Sequence, residues 1–174
     1  MMSIRKDTTL AMLKTQGVSV PEFTNNIDIA RTWDGKIVAR KLLCSSGGKG
    51  IVMCDKDTII EAELYTKFID KSGEYRVHVF NGECIDYSKK VATGEKNDVC
   101  SHDNGYLFIR GVKPIDENIE LAIMAVKAMG LDFGAVDIIR KDKKSYVLEV
   151  NSACGMEETT CTAYAKAIIN LITK

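Results

Sequence analysis

The chain has 174 residues, with 24 basic and 24 acidic side chains, and its formal net charge is zero. Hydrophobic residues make up 45% of the sequence, which indicates a globular protein with a buried core rather than a disordered chain. The balanced charge argues against a general nucleic-acid binder, because such proteins need a basic excess to displace counterions. No apolar run approaches the roughly 20 residues of a membrane span, and the N-terminus lacks a secretory signal. We therefore expect a soluble, cytoplasmic protein that binds neither nucleic acid nor membranes.

The cysteine and histidine residues show no metal-binding pattern. The six cysteines include no CxxC pair, and the two histidines stand in no metal-ligand spacing. Structural zinc sites need clusters of these ligands. We expect the cysteines to be reduced and mostly structural, as in cytosolic proteins.

The first third of the chain predicts two short helices and a hairpin. Apolar positions followed by a glycine predict a helix over residues 4–14, and residues 28–33 can add a second one. Two β-rich runs, residues 37–43 and 51–53, flank a segment rich in glycine and serine. This arrangement is typical of a hairpin with a flexible tip.

The middle of the chain predicts three strands and a polar loop. The strand-like runs are residues 64–69, 74–80 and 83–88, and the Asn81-Gly82 pair between the last two is a strong signal for a tight turn. Residues 89–104 are polar and show little periodicity, so we expect a loop there.

The last third predicts a helix, a second hairpin and a final helix. Asp116 can cap the first helix, which Gly130 ends. The hairpin comprises residues 133–140 and 145–150, and the final helix covers about residues 160–172. Because strands outnumber helices and come in hairpins, we predict an α+β fold with mostly antiparallel sheet.

The second hairpin carries carboxylates inside an apolar sheet. Asp137 interrupts the apolar strand FGAVDII, while Glu149 and Asn151 share one face of the partner strand. Folding at the intervening turn places Asp137 opposite Glu149 or within one residue of it. Facing carboxylates repel each other unless a cation lies between them, and oxygen ligands of this kind suit Mg²⁺. A solvated pair on an exposed sheet is the alternative, and spacing alone does not separate the two.

The glycine-rich hairpin tip, residues 45–50, is a candidate phosphate-binding loop. Glycines let backbone N–H groups approach phosphate oxygens, and Lys49 can add charge. The segment is not a Walker A loop, because Gly50 follows Lys49 and strands flank it on both sides. A plain hairpin tip is the alternative. The adjacent Arg40 and Lys41 favour the phosphate site, because at least one must point to the sheet face where an anion would be its partner.

A third candidate is a group of charged residues on the middle hairpin. Glu74 and Arg76 lie on the same face of their strand, and the tight turn brings Lys89 and Lys90 toward the Arg76 end. Cations near two carboxylates are typical of a site for a polyphosphate or an acyl phosphate. Cross-strand salt bridges on a solvated face are the alternative.

Taken in order, these segments resemble the ATP-grasp superfamily of carboxylate–amine ligases. The likeness begins with Lys6 and GVSVPEFT (17–24) and continues through the basic strand and the glycine-rich hairpin. Its later segments are YTKFI (65–69), EYRVHVFNGECID (74–86), GLDFGAVDII (130–139) and LEVNSACGMEETT (148–160). It covers nearly the whole chain, and it is strongest to glutamate-ligase-type enzymes and to short ATP-grasp proteins of tailed phages.

The resemblance implies two α+β lobes that grip ATP and activate a carboxylate as an acyl phosphate, which an amine or thiol then attacks. It places a helix and linker in residues 1–33, a small lobe in 34–70 and a large lobe in 71–174. Family enzymes usually carry an N-terminal domain before this region. The resemblance therefore also implies a partner protein that completes the cleft, or an open substrate site, or a loss of catalysis.

The resemblance assigns nucleotide contacts by position. A basic residue of the hairpin strand, Lys41 or, if the register slips by one residue, Arg40, would contact the α- and β-phosphates. The residues that would close over the phosphates are Ser46, Gly47, Gly48, Lys49 and Gly50. The residues that would line the adenine, mainly with backbone groups, are Lys67, Phe68 and Ile69. Glu74 would face the ribose or the substrate.

The remaining roles implied by the resemblance concern phosphoryl transfer and metal binding. Arg76 and Lys90 would contact the γ-phosphate or the acyl phosphate. Asp137, Glu149 and Asn151 would hold one or two Mg²⁺ ions, with Mn²⁺ as a possible replacement.

Three functions are compatible with this likeness. The first is an ATP- and Mg²⁺-dependent ligase that joins a small-molecule or peptide carboxylate to an amine. The second is a nucleotide-binding regulatory module without turnover of its own; CSHDNG (100–105), where related ligases carry an Arg-x-Asn element, favours it. The third is a small-molecule kinase on the same fold. If the protein is encoded by a phage, its location would be the host cytoplasm.

Overall fold

A computed structural model of the protein describes residues 5–45, 47–94 and 105–173. Within these ranges the chain forms two antiparallel sheets and four helices, which confirms the predicted α+β class. The elements are α1 (Lys6–Thr15), β1 (Phe23–Thr24), α2 (Ile27–Ala30), β2 (Ile37–Arg40), β3 (Ile51–Cys54), β4 (Leu64–Lys67), β5 (Gly73–Phe80), β6 (Glu83–Ala92), β7 (Tyr106–Ile109), α3 (Asp116–Ala128), β8 (Phe133–Lys141), β9 (Lys144–Asn151) and α4 (Glu158–Ile172).

The smaller sheet has the strand order β1-β4-β2-β3, and every neighbouring pair is antiparallel. Side chains alternate along β2: Ile37 and Ala39 are buried in a cluster with Trp33 and Tyr65, while Arg40 is only partly buried. This alternation sends the polar side chain of β2 to the opposite face of the sheet. That face forms one wall of the candidate site described below.

The larger sheet has the strand order β7-β6-β5-β8-β9. One of its faces packs against α3 and supplies most of the main core, in which Val77, Val136 and Ile138 are fully buried against Ala122 and Ala125. Residues of β5 and β8 between these positions point to the other face. They include Arg76 and Asp137, which are paired in the register of the two strands. The apolar face therefore packs against α3, and the charged face lines the cleft described below.

Helix α1 packs against both parts of the molecule. Leu10 lies in a small cluster with Leu43 and Leu64, while Leu13 lies in the main core under the larger sheet. The segment that follows α1 continues along the edge of the larger sheet, where the Val147 N–H donates to the Ser19 carbonyl over 2.8 Å. That hydrogen bond covers part of an edge strand whose backbone groups would otherwise be unpaired.

Helix α4 covers the far end of the charged face of the larger sheet. In its first turn, Thr160 donates to the Asp86 carboxylate of β6 over 2.6 Å, and Arg110 contacts both residues. Further along α4, Tyr164 is buried, but Ile169 and Ile172 toward the C-terminus are exposed. No helix in the described ranges has the length and apolar character needed to cross a membrane.

Several details differ from the sequence predictions, among them the two-residue strand β1, which was not predicted. Residues 89–92 were predicted as loop but continue β6, and the charged side chain of Lys90 on this strand faces the cleft rather than solvent. The short strand β7, which pairs with this extension, was also missed. Asp116 does not cap α3; Ile115 holds the cap position, and Asp116 instead accepts a hydrogen bond from Lys113. The remainder of the predicted loop, residues 95–104, lies outside the described residues.

We expect Ile138→Ala to lower the free energy of unfolding by about 2–5 kcal/mol, because it leaves a cavity in the main core. The matched control is Ile169→Ala, which deletes the same atoms from a side chain that is 55% exposed and should change stability by less than about 0.5 kcal/mol. Urea denaturation followed by circular dichroism measures both. Equal losses for the two variants would contradict the packing described here.

Candidate active site

A cleft of about 410 Å³ lies between the two sheets and is lined by residues from both. Its charged lining is unbalanced, with more basic than acidic side chains. The basic side chains are Lys6, Arg40, Lys67, Lys71, Arg76 and Lys90. The acidic side chains are Glu74, Asp137 and Glu149. A concave site with this excess of positive charge is suited to a polyanionic ligand.

Asp137 is the centre of an ion-pair array at the floor of the cleft. Its two oxygens accept from Arg76 Nε and Nη2 over 2.7 and 2.9 Å, a bidentate geometry. Lys90 Nζ donates to Asp137 over 3.0 Å and to Glu74 over 2.5 Å, and Lys71 donates to the other Glu74 oxygen over 2.6 Å. Glu74 and Asp137 are each only 5% exposed, so both carboxylates depend on these cations.

The array shifts the pKa values of its members. Burial alone would raise the pKa of Asp137, but Lys90 and Arg76 outweigh it and hold this pKa well below its usual range. Burial alone would lower the pKa of Lys90, but Asp137 and Glu74 raise it to about 12. Both groups therefore stay charged near neutral pH. The ring of Phe108 lies 4.7 Å from the Arg76 guanidinium and 5.4 Å from Lys90 Nζ and adds cation–π contacts.

Glu149 lies directly opposite Asp137 in the β8–β9 register, and Asn151 lies opposite Ala135, so the predicted juxtaposition of the two carboxylates is confirmed. All three predicted metal ligands line the cleft. One oxygen of Glu149 accepts from Lys6 Nζ over 2.6 Å. In the described part of the chain, the other Glu149 oxygen and the Asn151 side chain have no hydrogen-bond or ion-pair partner.

These oxygen donors fit a hard cation such as Mg²⁺ in their chemistry. The present partners of the two carboxylates are basic side chains. Within the described ranges, no three His, Cys, Asp or Glu side chains are grouped as they would be around a bound metal. A divalent ion at this position would share or take over carboxylate oxygens that now contact Lys6, Arg76 and Lys90.

The smaller sheet places Arg40, rather than Lys41, on the cleft wall, while Lys41 is exposed beyond the end of β2. Arg40 is paired with Ile51 of β3, and both side chains therefore lie on the same face of the sheet, where they line the cleft. Burial lowers the pKa of Arg40, and the charge of Glu149 acts in the other direction. Among the described residues, no side chain forms an ion pair with Arg40. A partly buried guanidinium without a carboxylate partner is suited to an anionic ligand.

The hairpin tip contributes backbone rather than charge. Gly47 and Gly48 line the cleft with positive φ angles of 65° and 78°, a conformation that glycine adopts without strain. Gly50 also has a positive φ, and a Cβ there would lie 2.9 Å from the Leu42 side chain. Lys49 is exposed and does not line the cleft. Ser46 lies outside the described residues.

The end of β4 and the segment that follows it line the cleft with Lys67, Phe68 and Ile69. The Lys67 N–H donates to the Glu22 carbonyl over 2.8 Å, and the Phe68 N–H donates to the Lys36 carbonyl over 3.0 Å. These two N–H groups are therefore already satisfied within the protein. The predicted backbone contacts to a ligand would have to come from other groups of this segment.

Two features of the site were not found from the sequence. Lys6 lies at the start of α1 but reaches Glu149 across the cleft, a contact between residues far apart in the chain that no local pattern indicates. His78 is buried next to the cleft, with Nδ1 3.4 Å from the Tyr164 hydroxyl and 3.9 Å from Cys154 Sγ. Burial lowers the pKa of His78 and raises that of the Cys154 thiol, so both groups are neutral.

Comparison with known proteins identifies the family. The profile of the RimK-like ATP-grasp domain matches residues 8–173, nearly the whole chain. The chain belongs to the RimK-like ATP-grasp family. Among the relatives of this ATP-grasp chain, "Probable alpha-L-glutamate ligase 1" of Shewanella sp. (strain MR-4) is 32% identical over 186 aligned residues, which cover 95% of this chain and 62% of the relative. "Probable alpha-L-glutamate ligase 2" of Hahella chejuensis is 29% identical over 163 residues, 84% of this chain and 53% of the relative.

Solved structures support the same fold. D-alanine–D-alanine ligase from Bacillus anthracis, complexed with ATP, has a TM-score of 0.73 and 18% identity over 96% of the ATP-grasp chain and 61% of the ligase. A Chryseobacterium gregarium RiPP-associated ATP-grasp ligase, in complex with ADP and a leader and core peptide, has a TM-score of 0.66 and 16% sequence identity. The match covers 97% of the ATP-grasp chain and 60% of that ligase. The ATP-grasp chain thus spans about three-fifths of the length of such proteins.

We expect Asp137→Asn to lower the free energy of unfolding by about 3 kcal/mol at pH 7, because Arg76 and Lys90 lose a buried partner. The pKa of Asp137 is lower in the folded than in the unfolded state, so its stabilisation is complete above about pH 4 and is lost as the pH falls. The difference between wild type and variant should therefore shrink toward pH 3, as measured by urea denaturation.

The control for this prediction is Glu149→Gln, whose ion pair with Lys6 is more exposed and should contribute at most about 1 kcal/mol. A difference for Asp137→Asn that stays constant from pH 7 to pH 3 would contradict the assigned shift.

Proposed function

We propose that the protein is an ATP-dependent carboxylate–amine ligase that works through an acyl phosphate and requires Mg²⁺. The observation that carries this proposal is the basic cleft between the two sheets, in a chain that belongs to the ATP-grasp family. Arg40 supports it further, because within the described residues this partly buried guanidinium lacks an anionic partner. A nucleoside triphosphate would supply the missing negative charge.

The nucleotide would lie along the cleft from the β4 segment to the ion-pair array. We propose that Arg40 contacts the phosphates, that Gly47 and Gly48 close over them, and that Lys41 and Lys49 make no direct contact. The residues proposed to line the adenine remain Lys67, Phe68 and Ile69. Glu74 would hold Lys90 in place and face the ribose or the substrate. A role for Ser46 stays a prediction.

The proposed reaction has two steps, and Arg76 and Lys90 act in both. First, a carboxylate oxygen attacks the γ-phosphorus of ATP and ADP leaves; the two cations neutralise the charge on the transferring group. Then an amine attacks the acyl carbon, loses a proton, and inorganic phosphate leaves. Asp137, Glu149 and Asn151 would hold one or two Mg²⁺ ions, which supply further charge neutralisation when bound. Mn²⁺ would be accepted by the same oxygen donors.

We propose amino-acid or peptide substrates. Both relatives described above bear the name "Probable alpha-L-glutamate ligase", and one solved neighbour is described with a leader and core peptide. The identity of the carboxylate and the amine, a partner protein that completes the cleft, the cytoplasmic location and the phage origin stay predictions.

Product analysis tests the reaction. The protein is incubated with Mg·ATP and pools of amino acids and short peptides, and products are identified by mass spectrometry and phosphate assay. A ligase releases ADP and free phosphate with an amide product, whereas a kinase releases ADP and a phosphorylated acceptor. A regulatory module binds nucleotide but forms neither product. Glu149→Gln, which keeps the shape of the side chain, should abolish turnover; full activity in this variant would contradict the proposed metal ligand.

A pair of adjacent variants tests the phosphate contact. We expect Arg40→Met to weaken binding of ADP about 10- to 100-fold, because a charge-assisted hydrogen bond contributes roughly 1.5–3 kcal/mol. Lys41→Met removes the same charge one residue away and should weaken binding less than about threefold. Isothermal titration calorimetry with ADP and Mg²⁺ measures both. A greater loss for Lys41→Met would reverse the assignment.

A further inference from the structure

Lys6 lines the cleft, and the proposed reaction gives it no role in nucleotide or metal binding. It is the first residue of α1, and its backbone N–H donates to the Leu43 carbonyl over 3.3 Å. Its side chain is 16% exposed, and Nζ donates to Glu149 Oε1 over 2.6 Å. The ion pair joins the helix to the edge strand β9, in which Glu149 lies opposite Asp137.

This ion pair competes with a metal ion. Glu149 is a proposed Mg²⁺ ligand, and an ammonium group 2.6 Å from its oxygen occupies one of the positions that a divalent cation would take. Asp137 is held in the same way by Arg76 and Lys90. A bare divalent cation would also enter a cleft whose lining has six basic and three acidic side chains. Like charges disfavour that step.

A polyphosphate in the cleft would change both the positive charge of the lining and the partner of Lys6. It brings several negative charges into the cleft and offers the Lys6 ammonium group new acceptors. Lysine has a flexible stem and three donors, so Nζ can change partners without a change in the fold. Once Lys6 contacts phosphate, both oxygens of Glu149 are available to a metal ion.

We infer that Lys6 couples nucleotide binding to metal binding: it holds Glu149 until a polyphosphate takes over its ammonium group. This inference rests on the proposed function, since it needs a nucleotide in the cleft and a metal ion on Glu149. Free Mg²⁺ then binds poorly to the nucleotide-free protein. By linkage, the metal ion and the nucleotide raise each other's affinity by the same factor.

The experiment measures binding of Mn²⁺, as a paramagnetic probe for the Mg²⁺ site, from the electron paramagnetic resonance signal of the free ion. Titrations are made with and without saturating ADP, and signal from Mn·ADP is subtracted with protein-free samples. We expect wild type to bind Mn²⁺ at least about tenfold more tightly with ADP. Lys6→Met should bind Mn²⁺ about tenfold more tightly than wild type in the absence of ADP, and its gain from ADP should be smaller.

Lys71→Met is the matched control, because it removes the same charge from the same cleft. The oxygen it releases belongs to Glu74, which keeps Lys90 as a partner and is not a proposed metal ligand. In the absence of ADP, the Mn²⁺ affinity of Lys71→Met should be within about threefold of the wild-type affinity. Lys6→Arg keeps the charge and should keep the low affinity. Thermal melts of each variant establish that it is folded.

The outcomes separate the inference from the proposed function. If ADP binds but Mn²⁺ affinity is the same with and without it, or if Lys6→Met behaves like Lys71→Met, the coupling role of Lys6 is wrong and the nucleotide site stands. If calorimetry detects no ADP binding to wild type at any Mn²⁺ concentration, the proposed function is wrong, and the coupling role is wrong with it.

Discussion

The burial of the Asp137 carboxylate is the constraint on which the cleft depends. A charge in the middle of a sheet is tolerated only with partners, and Asp137 obtains them from Arg76 on β5 and Lys90 on β6. Lys90 in turn fixes Glu74, so four charged side chains from three neighbouring strands hold one another in place. The same contacts that make burial possible also orient two cations toward the cleft, and this orientation exists before any ligand arrives.

Local patterns were sufficient to predict most of the sheet structure. The Asn81-Gly82 turn and the charged turn after β8 fixed two hairpins, and strand alternation then placed Asp137 opposite Glu149. Local patterns gave the wrong secondary structure where contacts between distant parts of the chain determine it. Polarity suggested a loop at Lys90, although the polar side chain faces other charges instead of solvent.

The choice between Arg40 and Lys41 depended on a one-residue register, which two adjacent cations in the sequence cannot settle. The pairing of β2 with β3 and β4 places Arg40 on the cleft wall. The fold determines which side chains line the cleft, but it does not determine which ligand they bind. Cys154 illustrates the difference: it lines the cleft near a histidine, yet its raised pKa keeps the thiol protonated and unsuited to nucleophilic attack.

Helix α1 has a mechanical consequence for the two lobes. Leu10 lies in the cluster with Leu43 and Leu64, beside the smaller sheet, and Leu13, three residues later, lies in the main core under the larger sheet. A ten-residue helix is a stiff rod of about 15 Å, so it cannot bend to follow both cores if they rotate apart. If the two sheets moved apart, either Leu10 would leave its cluster or the whole helix would change its orientation. If the helix turned about Leu13, the displacement would be larger at the end that carries Lys6, and a motion of one sheet relative to the other would become a movement of a single ammonium group relative to Glu149.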